Sequence, residues 1–279
     1  MEPILIKNIK PCVALQDYVR LYQVYRFVFN AAIIPPAKFH TPRPEHSITF
    51  YVRDFQKFSY IHSDKIITYP RCIINGIYTI PLKRYGGHDF LAIKVVLQPT
   101  TLSRLRIIEV KELTNTFINA EDYLGNEVST LCEKLIVMIE LSHMIEAIEH
   151  FLLHLVHKSY KITEPIDKAS SYIFKHPGNI SLDWLADQSC LSVRQFIRRF
   201  EAQIGMSPKM FQKILRLDRA YKLKNISPDL DWLHIALACG YYDYQHLVKD
   251  FKEFTALTPP AFYEVEKVAP GREFGLYDS

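Results

Sequence analysis

Glycine is scarce in this chain, at nine of 279 residues, and none of it builds a phosphate cradle. There is no G-x-x-x-x-G-K-[ST] loop and no G-x-G-x-x-G turn. The G-x-S-x-G nucleophile elbow and the H-E-x-x-H zinc motif are also missing, so the expectation is a protein that is not an enzyme and carries no cofactor. The five cysteines, at positions 12, 72, 132, 190 and 239, lie far apart without a C-x-x-C pair. An odd, scattered set argues against a zinc site or disulfide scaffold and for reduced thiols in a cytoplasmic protein. No apolar run approaches the ~18 residues of a spanning helix. The N-terminus, Met1-Glu-Pro-Ile-Leu-Ile-Lys, lacks signal-peptide architecture, which adds to the expectation of a cytoplasmic protein with no membrane partner. Net charge is only +4, so any strongly basic surface must be local.

What the chain does contain is an internal repeat. Residues 182–260 write one helical pattern twice, and each copy ends in Gly/Ala-x-Ser/Thr-Pro. Ala186 answers Ala236, Phe196 answers Leu247, Arg198 answers Lys249, Phe200 answers Phe251 and Pro208 answers Pro259; the offset grows by one residue at the turn. In the first copy a short helix, Leu182 to Gln188, places a small Ala where a second helix crosses closely, and a polar turn at Ser189 to Ser192 starts that helix. Phe196 and Phe200, spaced i and i+4, turn one apolar stripe inward and leave a basic outer face. That is the pattern of a helix-turn-helix. Between Arg194 and Lys224 there are nine Lys/Arg against two acidic residues, Glu201 and Asp218, which favours a polyanionic partner.

The first half reads differently. Beta-branched and aromatic stretches such as Ile48 to Val52, Lys65 to Tyr69, Cys72 to Tyr78 and Phe90 to Leu97 are punctuated by Pro and Gly, and predict a β sandwich or small barrel. From Val128 the spacing becomes helical through Leu131, Leu135, Met138 and Ile139, and again from Ile145 to Leu155. The region Leu141-Ser142 is expected to separate two antiparallel helices. The fold class is therefore α+β: a β-rich unit ending in a helical pair at 1–158, a linker at 159–165, an all-α unit with tandem helix-turn-helix motifs at 166–265 and a tail at 266–279.

Histidines give no metal signal. His40, His46, His62 and His88 are spread through the β-rich half with no His-x-His pair, and isolated histidines of this kind are more often solvent-facing or singly hydrogen-bonded. His143, His150, His154 and His157 alternate with apolar residues as the polar side of an amphipathic helix. Tyr51, Tyr69, Tyr78 and Arg84 fall in or near β segments, either as core and rim residues or as the lining of a pocket.

Ile166 to Tyr263 resembles the AraC/XylS family of bacterial transcription activators. The resemblance is carried by Leu215-Arg216-Leu217-Asp218-Arg219-Ala220 in the connecting helix, by Ile235-Ala236 through Gly240-Tyr241, and by Phe251-Lys252 followed by Leu257-Thr258-Pro259. Two positions depart from the pattern: Ala256 stands for the usual Gly, and Lys249 for the usual Arg. A family member with a metal module that accepts an alkyl group would need clustered cysteines, which this chain lacks. Pro99 to Leu105, Glu112 to Asn115 and Tyr123 to Gly125 resemble, more weakly, the cupin-like sensor halves of some members.

The resemblance implies that the second helix of each copy enters the major groove of double-stranded DNA. Carried over by position, Arg194, Ile197 and Arg198 face the groove with Gln195 or Arg199 near phosphate in the first copy. In the second, Tyr244, Gln245, Val248 and Lys249 point outward with Lys252 near the backbone. It further implies a regulator, expected to be an activator, that engages RNA polymerase, with a small-molecule effector or a homodimer as the open roles of the first half. The first copy is expected to be the tighter reader, since it holds three Arg while Asp243, Asp250 and Glu253 accompany the second. The competing reading is a small-molecule-binding or protein-adaptor module whose DNA-binding part is vestigial.

Overall fold

The computed structural model describes residues 4–32, 34–61, 63–159, 164–176, 178 and 180–266. Most of the expected linker (160–163) and nearly all of the expected tail (267–279) therefore lie outside the described residues, as does His62. Among the described residues the first half contains ten strands: β1 (Ile4–Ile9), β2 (Val19–Val28), β3 (Lys38–His40), β4 (Ser47–Tyr51), β5 (Lys57–Tyr60), β6 (Ile67–Thr68), β7 (Cys72–Asn75), β8 (Leu82–Tyr85), β9 (Asp89–Leu97) and β10 (Phe117–Asn119). They form two antiparallel sheets, a six-stranded one in the order β1-β2-β9-β4-β7-β10 and a four-stranded one in the order β3-β8-β5-β6.

The larger sheet has apolar material on both faces, and the two-residue period of its strands sorts it. Along β9, Leu91, Ile93, Val95 and Leu97 join one core while Phe90 and Ala92 join another. The first core is closed by two helices, α3 (Asn126–Val137) and α4 (Leu141–Lys158), through Leu131, Leu135, Met144 and Ile148. The second lies between the sheets and is built from aromatic rings: Phe58 stacks on Tyr69 at 4.7 Å and Tyr69 meets the edge of Phe117 at 4.7 Å. A sheet covered on both faces explains the near-continuous apolar run of β9.

Three sequence expectations are corrected here. The helical pair breaks at Met138 to Glu140, ahead of Leu141-Ser142. Met138 turns to extended backbone (φ −71°, ψ 143°) while its side chain still packs on the core, so the break carries no turn residue that marks it. The Cys72–Tyr78 stretch is strand only to Asn75. At Gly76 a Cβ would stand 1.7 Å from the carbonyl oxygen of Leu113, so only glycine permits that approach. Finally, the Lys65–Tyr69 stretch yields only the two residues of β6.

Short helices α1 (Thr101–Leu105) and α2 (Glu121–Leu124), and 3-10 turns at Val13–Leu15 and Val110–Leu113, complete the described part of the first half. The second half is helical: α5 (Pro165–Lys175), α6 (Leu182–Gln188), α7 (Val193–Ile204), α8 (Pro208–Ile226), α9 (Trp232–Ala238), α10 (Tyr244–Thr255) and α11 (Pro259–Glu266). Its core gathers Phe196, Phe200, Phe211, Ile214, Phe251 and Phe262, and also takes in Ile77 from the first half.

The two halves touch at identifiable points. Thr114 Oγ1 donates to the carbonyl of Gly205 at 3.0 Å, Phe39 N donates to Glu266 Oε1 at 3.1 Å, and the Arg20 guanidinium sits 4.1 Å over the Phe174 ring. Thr100 Oγ1 also donates to the Asp167 carboxylate.

Candidate nucleic-acid interface

The two copies fold alike because each of their punctuation residues satisfies a helix end. Ser181 caps α6 by accepting from Trp184 N at 3.4 Å, and Ala186 is buried where α7 crosses. Cys190 then takes a left-handed conformation (φ 53°), and Leu191 N donates back to Ala186 O at 2.9 Å. In the second copy Gly240 (φ 81°) stands where Cys190 does, and Tyr241 N donates to Ala236 O at 3.0 Å. Helix α7 begins with a capping box: Ser192 accepts from Gln195 N at 3.3 Å, and Gln195 Oε1 accepts from Ser192 N at 3.1 Å. Helix α10 begins with Asp243, which accepts from His246 N at 2.8 Å.

The closing motif of each copy has the same logic. Gly205 (φ 87°) and Ala256 (φ 63°) end α7 and α10 in the left-handed region. Ser207 then caps α8 by accepting from Met210 N at 3.3 Å, and Pro208 occupies its first turn, where a missing N–H costs nothing. Phe211, three residues on, packs edge-on to Phe200 at 5.7 Å; in the second copy Phe262 meets Phe251 at 6.0 Å.

On α7, Arg194, Gln195, Arg198 and Arg199 are exposed and Ile197 is half-buried, while Phe196, Phe200 and Ile204 face the core. Gln195 is not a free contact, because its side chain is occupied in the capping box. On α10, Gln245, Lys249 and Lys252 are exposed and Val248 is half-buried. Tyr244 is less outward than expected: it is half-buried, with its ring packed against the domain core.

The acidic residues of the second copy also turn out differently. Asp250 is buried and Glu253 lies beside it, both paired to Lys213 of α8, at 3.3 Å and 2.7 Å. Burial pushes the Asp250 carboxyl up, against the pull of Lys213. Asp243 is spent on the helix cap. All three carboxylates are therefore engaged within the second copy and its connecting helix, and three exposed arginines on the first reader stand against two exposed lysines on the second.

Residues 185–264 match a family model described as a helix-turn-helix domain. The second half of the chain therefore carries a helix-turn-helix domain. The chain is similar to a protein of Haemophilus influenzae described as an uncharacterized HTH-type transcriptional regulator, 37% identical over 95 residues, covering 32% of this chain and 30% of that one. It is also similar to the HTH-type transcriptional regulator MtrA of Neisseria gonorrhoeae, 32% identical over 79 residues, 28% of this chain and 26% of that one. The chain thus spans about a third or less of the length of the curated relatives it matches. Among solved structures, ToxT from Vibrio cholerae is 11% identical with a TM-score of 0.48, covering 88% of this chain and 97% of that one.

Outside the helix-turn-helix domain, the first half holds a cavity between its sheets. Its lining combines aromatic rings, among them Phe27, Tyr51 and Phe90, with four cationic side chains, Lys38, Arg43, Arg84 and Lys94, and no carboxylate among the described residues. Arg84 Nε is buried without a hydrogen-bond partner. Lys94 is tied to Glu45, which also accepts from Arg20 at 3.0 Å; burial lowers the Lys94 ammonium to about 8. His40 also lines the cavity, and burial together with Arg84 and Arg43 holds it neutral. It is therefore not the loop histidine that its isolation in sequence suggested, and neither is His46, which is fully buried.

Of the four residues weighed as pocket lining, Tyr51 and Arg84 line the cavity, while Tyr69 and Tyr78 lie in the core. Among the described residues no group of three or more His, Cys, Asp or Glu is placed to hold a metal ion, and no helix is long and apolar enough to cross a membrane. Sequence reasoning missed Cys190 as a strained turn residue. Superposing the copies at their initial offset, which sets Cys190 on Gly240, would have found it.

Proposed function

We propose that the chain is a sequence-specific transcriptional regulator in which residues 166–265 bind DNA and residues 1–158 sense or dimerise. The observation that carries this reading is that α8 joins two copies of one helix-turn-helix, each presenting an exposed basic reader helix, α7 and α10. Helix α8 has 19 residues and so is about 28 Å long. A connecting helix of that length suits two readers that enter successive major-groove segments, about one DNA turn, ~34 Å, apart.

Arg194 and Arg198 suit guanine O6 and N7, Gln245 suits adenine N6 and N7, and Ile197 and Val248 suit a thymine methyl. Arg199, Lys249 and Lys252 favour phosphate, a contribution that weakens as salt rises. Tyr244 and Gln195 support their helices more than they reach the groove.

The cavity chemistry supports a small effector, an organic anion with an apolar body, for the first half. Its strand β3 has two roles: Lys38 and His40 line the cavity while Phe39 bonds Glu266 and meets the edge of Phe262 at 6.3 Å. Activation through RNA polymerase, a homodimer formed by the first half and a cytoplasmic location belong to the same reading.

Selection of bound sequences from a random duplex pool by the full chain tests it. The expected outcome is a bipartite site. Arg194→Ala and Gln245→Ala then each cost about 1–3 kcal/mol and relax preference at separate positions, with the larger loss at Arg194. Absence of salt-sensitive binding to any duplex would instead favour an adaptor or ligand-binding module with a vestigial DNA-binding part.

A further inference from the structure

Where β7 packs beneath α3, two cysteines that are 60 residues apart in the chain meet side by side. Cys72, the first residue of β7, is buried against the core under the helical pair; Cys132, on the second turn of α3, is partly exposed and packs on the same core. The two sulfurs line the same pocket, close enough for each thiol to shift the other's titration. Both line one pocket at the surface, together with Pro70, Arg71, Glu133 and Ile136, so a small solute reaches the pair from solvent.

Arg71 is held at this mouth. Its Nη1 donates to the carbonyl of Tyr51 at 3.1 Å and to that of Arg53, and its guanidinium lies 3.9 Å over the Phe55 ring. The neighbouring Cys72 thiol, and then the Arg71 charge, hold the Cys132 thiol below its ordinary value, while burial pushes the Cys72 thiol up. A partly exposed thiol held below its ordinary value near a cation, lining one pocket with a second, buried thiol, is the arrangement of a reactive and a resolving cysteine.

We infer that Cys72 and Cys132 form a peroxide-reactive dithiol that closes reversibly to a disulfide between β7 and α3. The Cys132 thiolate attacks one oxygen of hydrogen peroxide, the O–O bond breaks, and the leaving hydroxide takes up the thiol proton to give water and a sulfenic acid on Cys132. The Cys72 sulfur then attacks the Cys132 sulfur; the S–OH bond breaks, and hydroxide leaves with the Cys72 proton as a second water. Two thiols are oxidised and one peroxide is reduced. A dithiol reductant reverses the change. The other three cysteines supply internal controls, above all Cys190, which is exposed on the helix-turn-helix turn.

The test uses the full chain at neutral pH with hydrogen peroxide at about one equivalent, followed by thiol counting and mass spectrometry of a non-reducing digest. Two of the five thiols are expected to disappear, a peptide linking Cys72 to Cys132 to appear, and both changes to reverse with reductant. Cys132 is expected to react about ten-fold faster than Cys190. In Cys72→Ala, Cys132 is expected to accumulate as the sulfenic acid, captured by a 1,3-dione; in Cys132→Ala, Cys72 is expected to stay reduced. Oxidation of Cys190 ahead of Cys132, or thiol loss without the linked peptide in the unsubstituted chain, overturns the inference whatever the variants do.

Discussion

Replacing Ala256 with glycine is expected to stabilise the protein, whereas the mirror change, Gly205→Ala, is expected to destabilise it, although the two residues hold the same place in the repeat. Ala256 sits at φ 63°, where a Cβ crowds the following carbonyl at a cost of about 1–2 kcal/mol. Glycine removes that cost but returns about 0.4–1 kcal/mol of entropy to the unfolded chain. The net gain for Ala256→Gly is therefore about 0.5–1 kcal/mol. At Gly205 (φ 87°) the same terms change sign, and a second one joins them. A Cβ there would stand 2.8 Å from the Val110 carbonyl oxygen, an atom of the first half that cannot rotate away. Gly205→Ala is expected to lose about 1–2 kcal/mol and to loosen the Thr114–Gly205 hydrogen bond.

Urea unfolding followed by tryptophan fluorescence reads both changes. The chain has two tryptophans, Trp184 on α6 and Trp232 on α9, one in each copy, so the signal comes from the helix-turn-helix bodies. Destabilisation by Ala256→Gly, or equal losses from both substitutions, would refute the account of these turns.

Two further outcomes follow from buried charge. His46 is fully buried and its imidazole is lowered to about 4. The unfolded chain therefore takes up this proton first as pH falls below ~6.5, and stability drops from there toward about 4. About 2 kcal/mol of that loss lies between pH 6.5 and 5, and His46→Gln should flatten that stretch of the urea-midpoint profile; an unchanged slope argues against it. Lys213→Met strands the buried Asp250 carboxylate and is expected to cost about 2 kcal/mol at neutral pH, much of it recovered by adding Asp250→Asn. Strict additivity of the two changes would deny the coupling.

The helix-turn-helix half was legible because its signals are local. Ser192 three residues before Gln195, a left-handed residue before Ser207-Pro208, and Phe196 and Phe200 on one face each fix a helix end or a buried stripe without help from elsewhere. Where partners are distant in sequence, the reading failed. Asp250 and Glu253 look like free acids beside the second reader until α8 brings Lys213 against them. His40 and His46 look like loop histidines until the sheets close around them. The break at Met138 to Glu140 is made by apolar residues that serve the core on both sides, so no turn residue marks it. The cavity cations come from three separate stretches of chain, 38–43, β8 and β9, which no spacing rule connects.

The placement of the one glycine that ends a reader follows from what lies against it. Both α7 and α10 need a left-handed residue at their C-termini, and alanine suffices at 256, where the strain costs about 1–2 kcal/mol. At 205 alanine does not suffice, because the carbonyl of Val110 lies where its Cβ would go, and Thr114 bonds the Gly205 carbonyl directly. The first half thus grips the end of the first reader and leaves the end of the second to Lys213 of the connecting helix. A shift of the 3-10 turn Val110–Leu113 acts directly on α7 and reaches α10 through intervening helices. Any signal from the first half through this contact should therefore alter contacts made by Arg194 and Arg198 before those of Gln245 and Lys249. That order can be read from which half of a bipartite DNA site loses protection first when Thr114→Val weakens the contact. Loss at the Gln245 half-site first would show that the first half addresses the second reader by another route.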